Sequence, residues 1–325
     1  MFKPPIVSRV VPCQSEIYCG TGEKIFPIKQ GLNVNRICLG TVQLGIPYGI
    51  ANSGGQPDLG TAFSILEAAH ACGITLLDTG RAYGTSEEVI GAFTEKTGKE
   101  FDIVSKLPNQ PNVSSPGLAG TLDDSLKRLR AKSLYGYLIH DFKTYLENPH
   151  VWDSLVALKN KKKVKKVGFS VYYPREIELL LDRDIRPDIV QLPFSVLDTR
   201  FSFLFLELKK RSIEIHVRSI FLQGAVFLPD DKMTGPLAGL LGSVCQLRHL
   251  SLKEGLPIRD LCLKFVANQP SVDQIVMGVD SVDQLKKNMA VFERPLENKT
   301  LWTALESLAV NDERVVVPSL WNRKT

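Results

Sequence analysis

Four side chains able to hold or move a proton stand at or just beyond the ends of apolar runs. Asp78 closes ITLLDT (74–79), Lys106 ends FDIVSK (101–106) and His140 ends YGYLIH (135–140). The fourth, Tyr83, follows Asp78 by five residues, on a glycine-bounded turn that leads into TSEEVIG. A free phenol titrates near ~10, too high to serve easily as both acid and base near neutrality. A nearby ammonium favours the phenolate, and a buried ammonium needs a carboxylate to stay charged. Taken singly, each residue has an ordinary reading: the aspartate as a cap, the tyrosine as half-buried packing, the histidine as a satisfied strand-end group. Four such groups at strand exits in separate segments read instead as one acid–base set.

The elements that must position them follow from periodicity. Eight short apolar runs recur along the chain: 36–42, 74–79, 101–106, 135–140, 164–170, 188–193, 213–219 and 274–278. Between them lie stretches with apolar residues at three- and four-residue spacing, such as DLGTAFSILEAAHACG and LAGTLDDSLKRLRAK. Thr85 with Glu88, and Ser281 with Gln284, fit the capping-box signature of a helix start. Strict alternation with near-continuous apolar strands argues for a parallel sheet covered by helices. The rival open sheet usually carries G-x-G-x-x-G after its first strand, and GTVQLGIPYG does not match it. Eight units favour an α/β fold of the (β/α)8 TIM-barrel type, whose active site lies at the C-terminal ends of the strands.

No linker or composition shift divides the chain, so a single domain is expected: an extension with a barrel-bottom hairpin over 1–33, the barrel over 34–292, and a C-terminal helix and tail over 293–325. The long stretch 230–256 after the seventh strand is expected to be functional. A hydrophobic content of 44% and a charged content of 23% are those of a globular enzyme rather than a disordered chain. The net charge of +5 is too mild and too dispersed for a nucleic-acid binder. The run KNKKKVKKVG (159–168) is expected at the barrel bottom as a solvated face. Six scattered cysteines without CxxC spacing read as reduced thiols, and no metal site is expected. No run of about 18 apolar residues or signal-like core occurs, so a cytoplasmic protein without a membrane partner is expected.

The segments DTGRAYGTSEEVIG, IVSKLP and YLIHDF resemble the aldo-keto reductase family, and the resemblance extends from about residue 34 to about residue 292. It implies the barrel fold and nicotinamide-dependent carbonyl chemistry, with Asp78, Tyr83, Lys106 and His140 as the catalytic residues. Reduction of a carbonyl by hydride leaves negative charge on its oxygen. Tyr83 would supply the proton, Lys106 would lower the phenol pKa, Asp78 would hold Lys106, and His140 would orient the carbonyl. General acid catalysis of this kind is typically worth ~10²–10⁴-fold.

By the same resemblance, Gly40, Thr41, Ser170, Gln191, Arg218, Ser219, Phe221, Gln223, Gly224, Gly278, Gln284 and Asn288 would bind the cofactor. Ser170 and Gln191 would meet the nicotinamide amide, although Val171 stands where many members have asparagine. Arg218 replaces a tyrosine that stacks on the nicotinamide ring in many relatives, and its planar guanidinium can also stack. Members selective for NADPH often have arginine at the position of Gln284 and lysine at that of Gly278. NADPH is the expected cofactor, with NADH open. The substrate pocket is expected from Tyr48, Phe142, Tyr145, Tyr172 and the 230–256 loop. The expected partner is a small aldehyde, ketone or alcohol, sugars included. The alternative is a non-catalytic, cofactor-binding redox sensor on the same fold.

Overall fold

The computed structural model describes residues 34–109, 115–292 and 298–321, together with two short strands nearer the N-terminus. Eight parallel strands form a closed barrel. They are β1 (Ile37–Gly40), β2 (Leu76–Asp78), β3 (Asp102–Leu107), β4 (Leu134–Ile139), β5 (Val164–Ser170), β6 (Ile189–Pro193), β7 (Glu214–Arg218) and β8 (Gln274–Gly278). Each pairs in parallel with the next, and β8 closes on β1 through Gly278↔Gly40.

The main covering helices are α1 (Leu59–Ala71), α2 (Ser86–Thr97), α3 (Ser115–Leu129), α4 (Val151–Asn160), α5 (Pro174–Asp182), α6 (Phe205–Lys210), α7 (Ile258–Ala267) and α8 (Val282–Val291). Their ends follow local chemistry. Asp58 caps α1 by accepting from the Thr61 N–H at 2.7 Å, and α2 stops at Gly98, which takes the left-handed conformation at φ 69°. One capping box differs from expectation: the Thr85 side chain makes no cap bond. Thr85 Oγ1 instead accepts from Gln56 Nε2 at 3.2 Å, and Glu88 pairs with Arg128.

Cys38, Leu76, Val104, Leu138 and Ile189 pack together inside the sheet. Leu76 and Val104 lie two residues before Asp78 and Lys106 and so share their face. Burial of this apolar layer stabilises at roughly 25 cal/mol per Å² removed from water. It gives the polar groups above it a rigid floor. At the other end, Lys159, Lys163, Lys165 and Lys166 pair with Asp188, Asp123, Asp102 and Glu214. Four of the six lysines in the basic run are therefore ion-paired, and Lys161 and Lys162 are exposed.

Two elements lie outside the regular repeat. After β7 come 3-10 turns and a helix, Leu241–Glu254, whose Val244 and Leu247 are buried. The C-terminal segment is a helix, Lys299–Glu306, then a shorter one, Glu313–Val316. Trp302 stacks on Phe265 with ring centroids 4.7 Å apart, so this segment packs on α7. The chain divides into two compact units, residues 1–30 and 31–325. In the first, Ile17–Tyr18 pairs antiparallel with Lys24–Ile25. The remainder of 1–33, on which the barrel-bottom hairpin was expected to rest, lies outside the described residues.

Candidate active site

Asp78 is the last residue of β2 and Lys106 sits near the end of β3, so the barrel register brings both to one rim. Lys106 is fully buried, and Asp78 is 4% exposed. Lys106 Nζ donates to Asp78 Oδ1 at 2.8 Å, to Asp78 Oδ2 at 2.7 Å and to the Thr79 carbonyl at 2.8 Å. Those are all three donors an ammonium has. Gln191, on β6, donates from Nε2 to Asp78 Oδ1 at 2.7 Å. The carboxylate is thus held by two side chains from opposite parts of the barrel, and removing one partner of such a buried pair typically costs ~3–5 kcal/mol.

Tyr83 reaches the same rim from the turn after β2. Its N–H donates to the Gly80 carbonyl at 2.9 Å, and the Ser86 N–H donates to the Tyr83 carbonyl at 3.0 Å. Gly45 packs against this turn so closely that a Cβ there would collide with the Tyr83 carbonyl oxygen. Ser86 Oγ donates to the Thr41 carbonyl at 2.9 Å and lies 3.0 Å from Thr79 Oγ1, while Glu87 Oε1 accepts from Ser105 Oγ at 2.7 Å. The first two residues of α2 are therefore anchored beside Asp78 and beside Lys106. The result places the Lys106 ammonium 4.8 Å from the centre of the Tyr83 ring. His140 faces the same ring edge-on, with centroids 5.6 Å apart.

The electrostatics differ from the sequence expectation in one respect. The Tyr83 phenol is pushed well above its ordinary value, first by burial and then by the Asp78 carboxylate, with Arg218 opposing. Lys106 does not offset the burial, because its charge is paired with Asp78 and its three N–H groups are spent. Tyr83 is consequently a phenol, ready to donate. Burial lowers the His140 pKa to about 3, helped by the cations Lys106 and Arg218, so the imidazole is neutral. A neutral imidazole retains one N–H to give and one lone pair to accept.

A cavity of ≈ 500 Å³ opens above these residues, within the usual range for small-molecule and cofactor sites. Asp78, Tyr83, His140, Tyr48 and Tyr172 line it, as do Gly40, Thr41, Ser170, Arg218, Ser219 and Phe221. Gln223, Gly224, Gly278, Gln284 and Asn288 complete the lining. Arg218 lies 4.1 Å from the Tyr172 ring centre and donates to the Val171 carbonyl at 2.9 Å. The loop after β7 is backbone-strained, with positive φ at Ser219, Leu222 and Gln223. Such conformations cost ~1–3 kcal/mol each and cluster at ligand clamps.

Several expected residues stand elsewhere. Gln191 is fully buried and is not on the cavity lining; its Nε2 is bonded to Asp78, while its Oε1 has no hydrogen-bond partner. Lys106 is likewise below the lining. Phe142 and Tyr145 do not line the cavity. Asp141 caps the short helix Phe142–Glu147, which turns both rings inward onto Phe169. No residue of 230–256 lines the cavity either. Sequence reading missed Gln43, Asn52, Arg259 and Asp280, all on the lining. Asn52 had a signal in NSGG: its Oδ1 accepts from the Gly54 and Gly55 N–H groups and so shapes the loop after β1. Gln43 Oε1 is buried without a hydrogen-bond partner. That orphaned acceptor, with the glycine-walled cavity beside it, fits a polar, elongated cofactor.

Residues 36–308 match the family model described as "Aldo/keto reductase family". The aldo-keto reductase str7 of Strobilurus tenacellus is 33% identical over 132 residues, 38% of this chain and 37% of that protein's length. The pyridoxal 4-dehydrogenase of Microbacterium luteolum is 22% identical across 86% of this chain and 95% of its own. Among solved structures, the holo form of aldo-keto reductase AKR11C1 from Bacillus halodurans superposes with a TM-score of 0.70 at 21% identity, covering 85% of this chain and 92% of that one.

Proposed function

The chain belongs to the aldo/keto reductase family, and from that membership and the site's geometry we propose that it is a nicotinamide-dependent oxidoreductase interconverting a small aldehyde or ketone with its alcohol. The bound dinucleotide would supply the hydride. Tyr83 gives its phenolic proton to the carbonyl oxygen as charge develops there, and is held protonated by burial and Asp78. His140, neutral, donates a hydrogen bond that fixes the carbonyl over Tyr83. Lys106 and Asp78 hold the floor of the site and set the field at the phenol. Gln191 positions Asp78 through Nε2, and its Oε1, which has no hydrogen-bond partner, is left to accept from the nicotinamide amide. Ser170 remains the polar side chain at the end of β5 able to meet that amide. Tyr48 and Tyr172 wall the substrate end.

The observation that carries this reading is the buried Asp78–Lys106 pair lying under Tyr83 and opposite His140, on the wall of one cavity. Loss of reduced-cofactor absorbance with a panel of sugar, aliphatic and aromatic aldehydes tests it. Pyridoxal belongs in the panel because a relative is named for it. Steady turnover with any member supports the reading, and cofactor binding without turnover on the whole panel would favour the redox-sensing alternative. Among the described residues no helix is long and apolar enough to cross a membrane, and a cytoplasmic location is part of the proposal. NADPH and NADH supply the same hydride, and titration with both dinucleotides decides between them.

A further inference from the structure

The turn after β5 carries part of the cavity wall and is held from outside the cavity. Val171, Tyr172 and Tyr173 join the end of β5 at Ser170 to the start of α5 at Pro174, and Tyr172 lines the cavity with Tyr48, Tyr83 and His140. So short a connection has backbone N–H groups to satisfy. Glu176 meets two of them: its Oε2 accepts from the Tyr172 N–H at 2.7 Å and from the Tyr173 N–H at 3.0 Å. Glu176 is the third residue of α5 and Tyr173 is its N-cap, so the second bond is the one a capping box supplies. The first is additional. It fixes the residue before the cap, whose ring stands on the cavity wall.

The same turn also holds a cation. Arg218 Nη2 donates to the Val171 carbonyl at 2.9 Å, and the guanidinium lies 4.1 Å from the centre of the Tyr172 ring. Ring, carbonyl and guanidinium therefore keep one arrangement only while the backbone of 171–173 keeps its own. Arg218 in turn acts on the acid–base set. Burial, Lys106 and Arg218 together lower the His140 pKa, and Arg218 opposes the rise that burial and Asp78 impose on Tyr83. Glu176 itself does not line the cavity. Its neighbour Arg175 pairs with Glu313 at 2.7 Å and stacks on the Tyr173 ring at 3.8 Å, which ties the cap end of the turn to the C-terminal segment.

We propose that Glu176 is a positioning residue for substrate selection: by holding the Tyr172 N–H beside the cap N–H, it sets the Tyr172 ring and the Arg218 guanidinium as one rigid wall of the substrate pocket. The proposal rests on the oxidoreductase reading above. A side chain that only capped α5 would contribute to stability and leave substrate preference alone. One that holds the wall acts also on substrate binding and on the field at Tyr83.

Steady-state carbonyl reduction across the aldehyde panel, measured for the wild type, Glu176→Ala and Glu176→Gln, tests it. Glu176→Ala should raise KM for the best substrate by about tenfold or more and flatten preference across the panel, with kcat largely retained. Its alcohol-oxidation pH–rate profile should move to higher pH, since Arg218 is no longer held where it opposes the Tyr83 shift. Glu176→Gln keeps an acceptor for both N–H groups and should restore the wild-type KM. With Tyr172→Ala already in place, Glu176→Ala should add no further rise in KM. If the alanine variant does not fold, Glu176→Asp, a methylene shorter, loses the span across both amides and gives the same readout. A lower melting temperature with KM, panel preference and pH profile all unchanged would make Glu176 a cap alone and overturn the proposal. So would equal KM defects in the glutamine and alanine variants. In either case wild-type turnover leaves the oxidoreductase reading standing, whereas no wild-type turnover on the whole panel overturns both.

Discussion

Glu87 Oε1 accepts a hydrogen bond from Ser105 Oγ at 2.7 Å, one residue before Lys106 and four after Tyr83. With Ser86 bound to Thr41 and close to Thr79, this contact sets the distance between the tyrosine turn and the buried ion pair. Glu87 is 1% exposed and its Oε2 has no hydrogen-bond partner. Ser105→Ala would leave the whole carboxylate unsatisfied, a loss of ~1–3 kcal/mol. A lower melting temperature and reduced turnover are expected, with dinucleotide affinity retained. Glu87→Gln keeps an acceptor for Ser105 and should be much milder. Equal turnover defects in the two variants would contradict this positioning role.

The field at Tyr83 yields a sign that sequence alone does not. Asp78 raises the phenol pKa, so Asp78→Asn should lower it by removing that negative charge. The alcohol-oxidation direction needs phenolate, and its pH–rate profile should then move to lower pH. Lys106→Met should move it the other way, because the Asp78 charge stands alone beneath the ring. That variant should also lose stability, by ~3–5 kcal/mol for a broken buried pair. Profiles that shift in the same direction in both variants would contradict the opposed-charge arrangement.

His140 provides a pH prediction of a different kind. With its pKa at about 3, the imidazole stays neutral throughout the working range. The reductive rate should show no inflection near pH ~6.5, the ordinary histidine value. Because the folded pKa is depressed, the unfolded chain takes up this proton first as pH falls below about 6.5. His140 therefore contributes stability above that pH that is progressively lost toward pH 3. His140→Gln should remove this share of acid sensitivity in thermal melts. An inflection near 6.5 that vanishes in the variant would show a histidine titrating in the open.

The barrel was legible because its strands are nearly unbroken apolar runs: β5 and β8 have the bounds that the sequence suggested. β1 ends earlier, at Gly40, since Val42–Gly45 forms a helical turn that buries Leu44. Asp78, Tyr83 and His140 were legible as strand-exit residues that share a cavity. What spacing could not carry was orientation. Phe142 and Tyr145 follow His140 closely, yet the Asp141 cap turns them into the core. The sign of the Tyr83 shift depends on where the three Lys106 N–H groups go, and a sequence does not record that. Asp280 was hidden because the capping pattern of Ser281 and Gln284 already explained its neighbourhood.

The most direct test is Tyr83→Phe, measured as single-turnover carbonyl reduction together with the dinucleotide dissociation constant. The ring and its contacts with Lys106 and His140 remain, while the proton is gone. Reduction should fall by about 10²-fold or more, the range of general acid catalysis, with dinucleotide affinity nearly unchanged. Turnover close to that of the wild type would contradict Tyr83 as the proton donor.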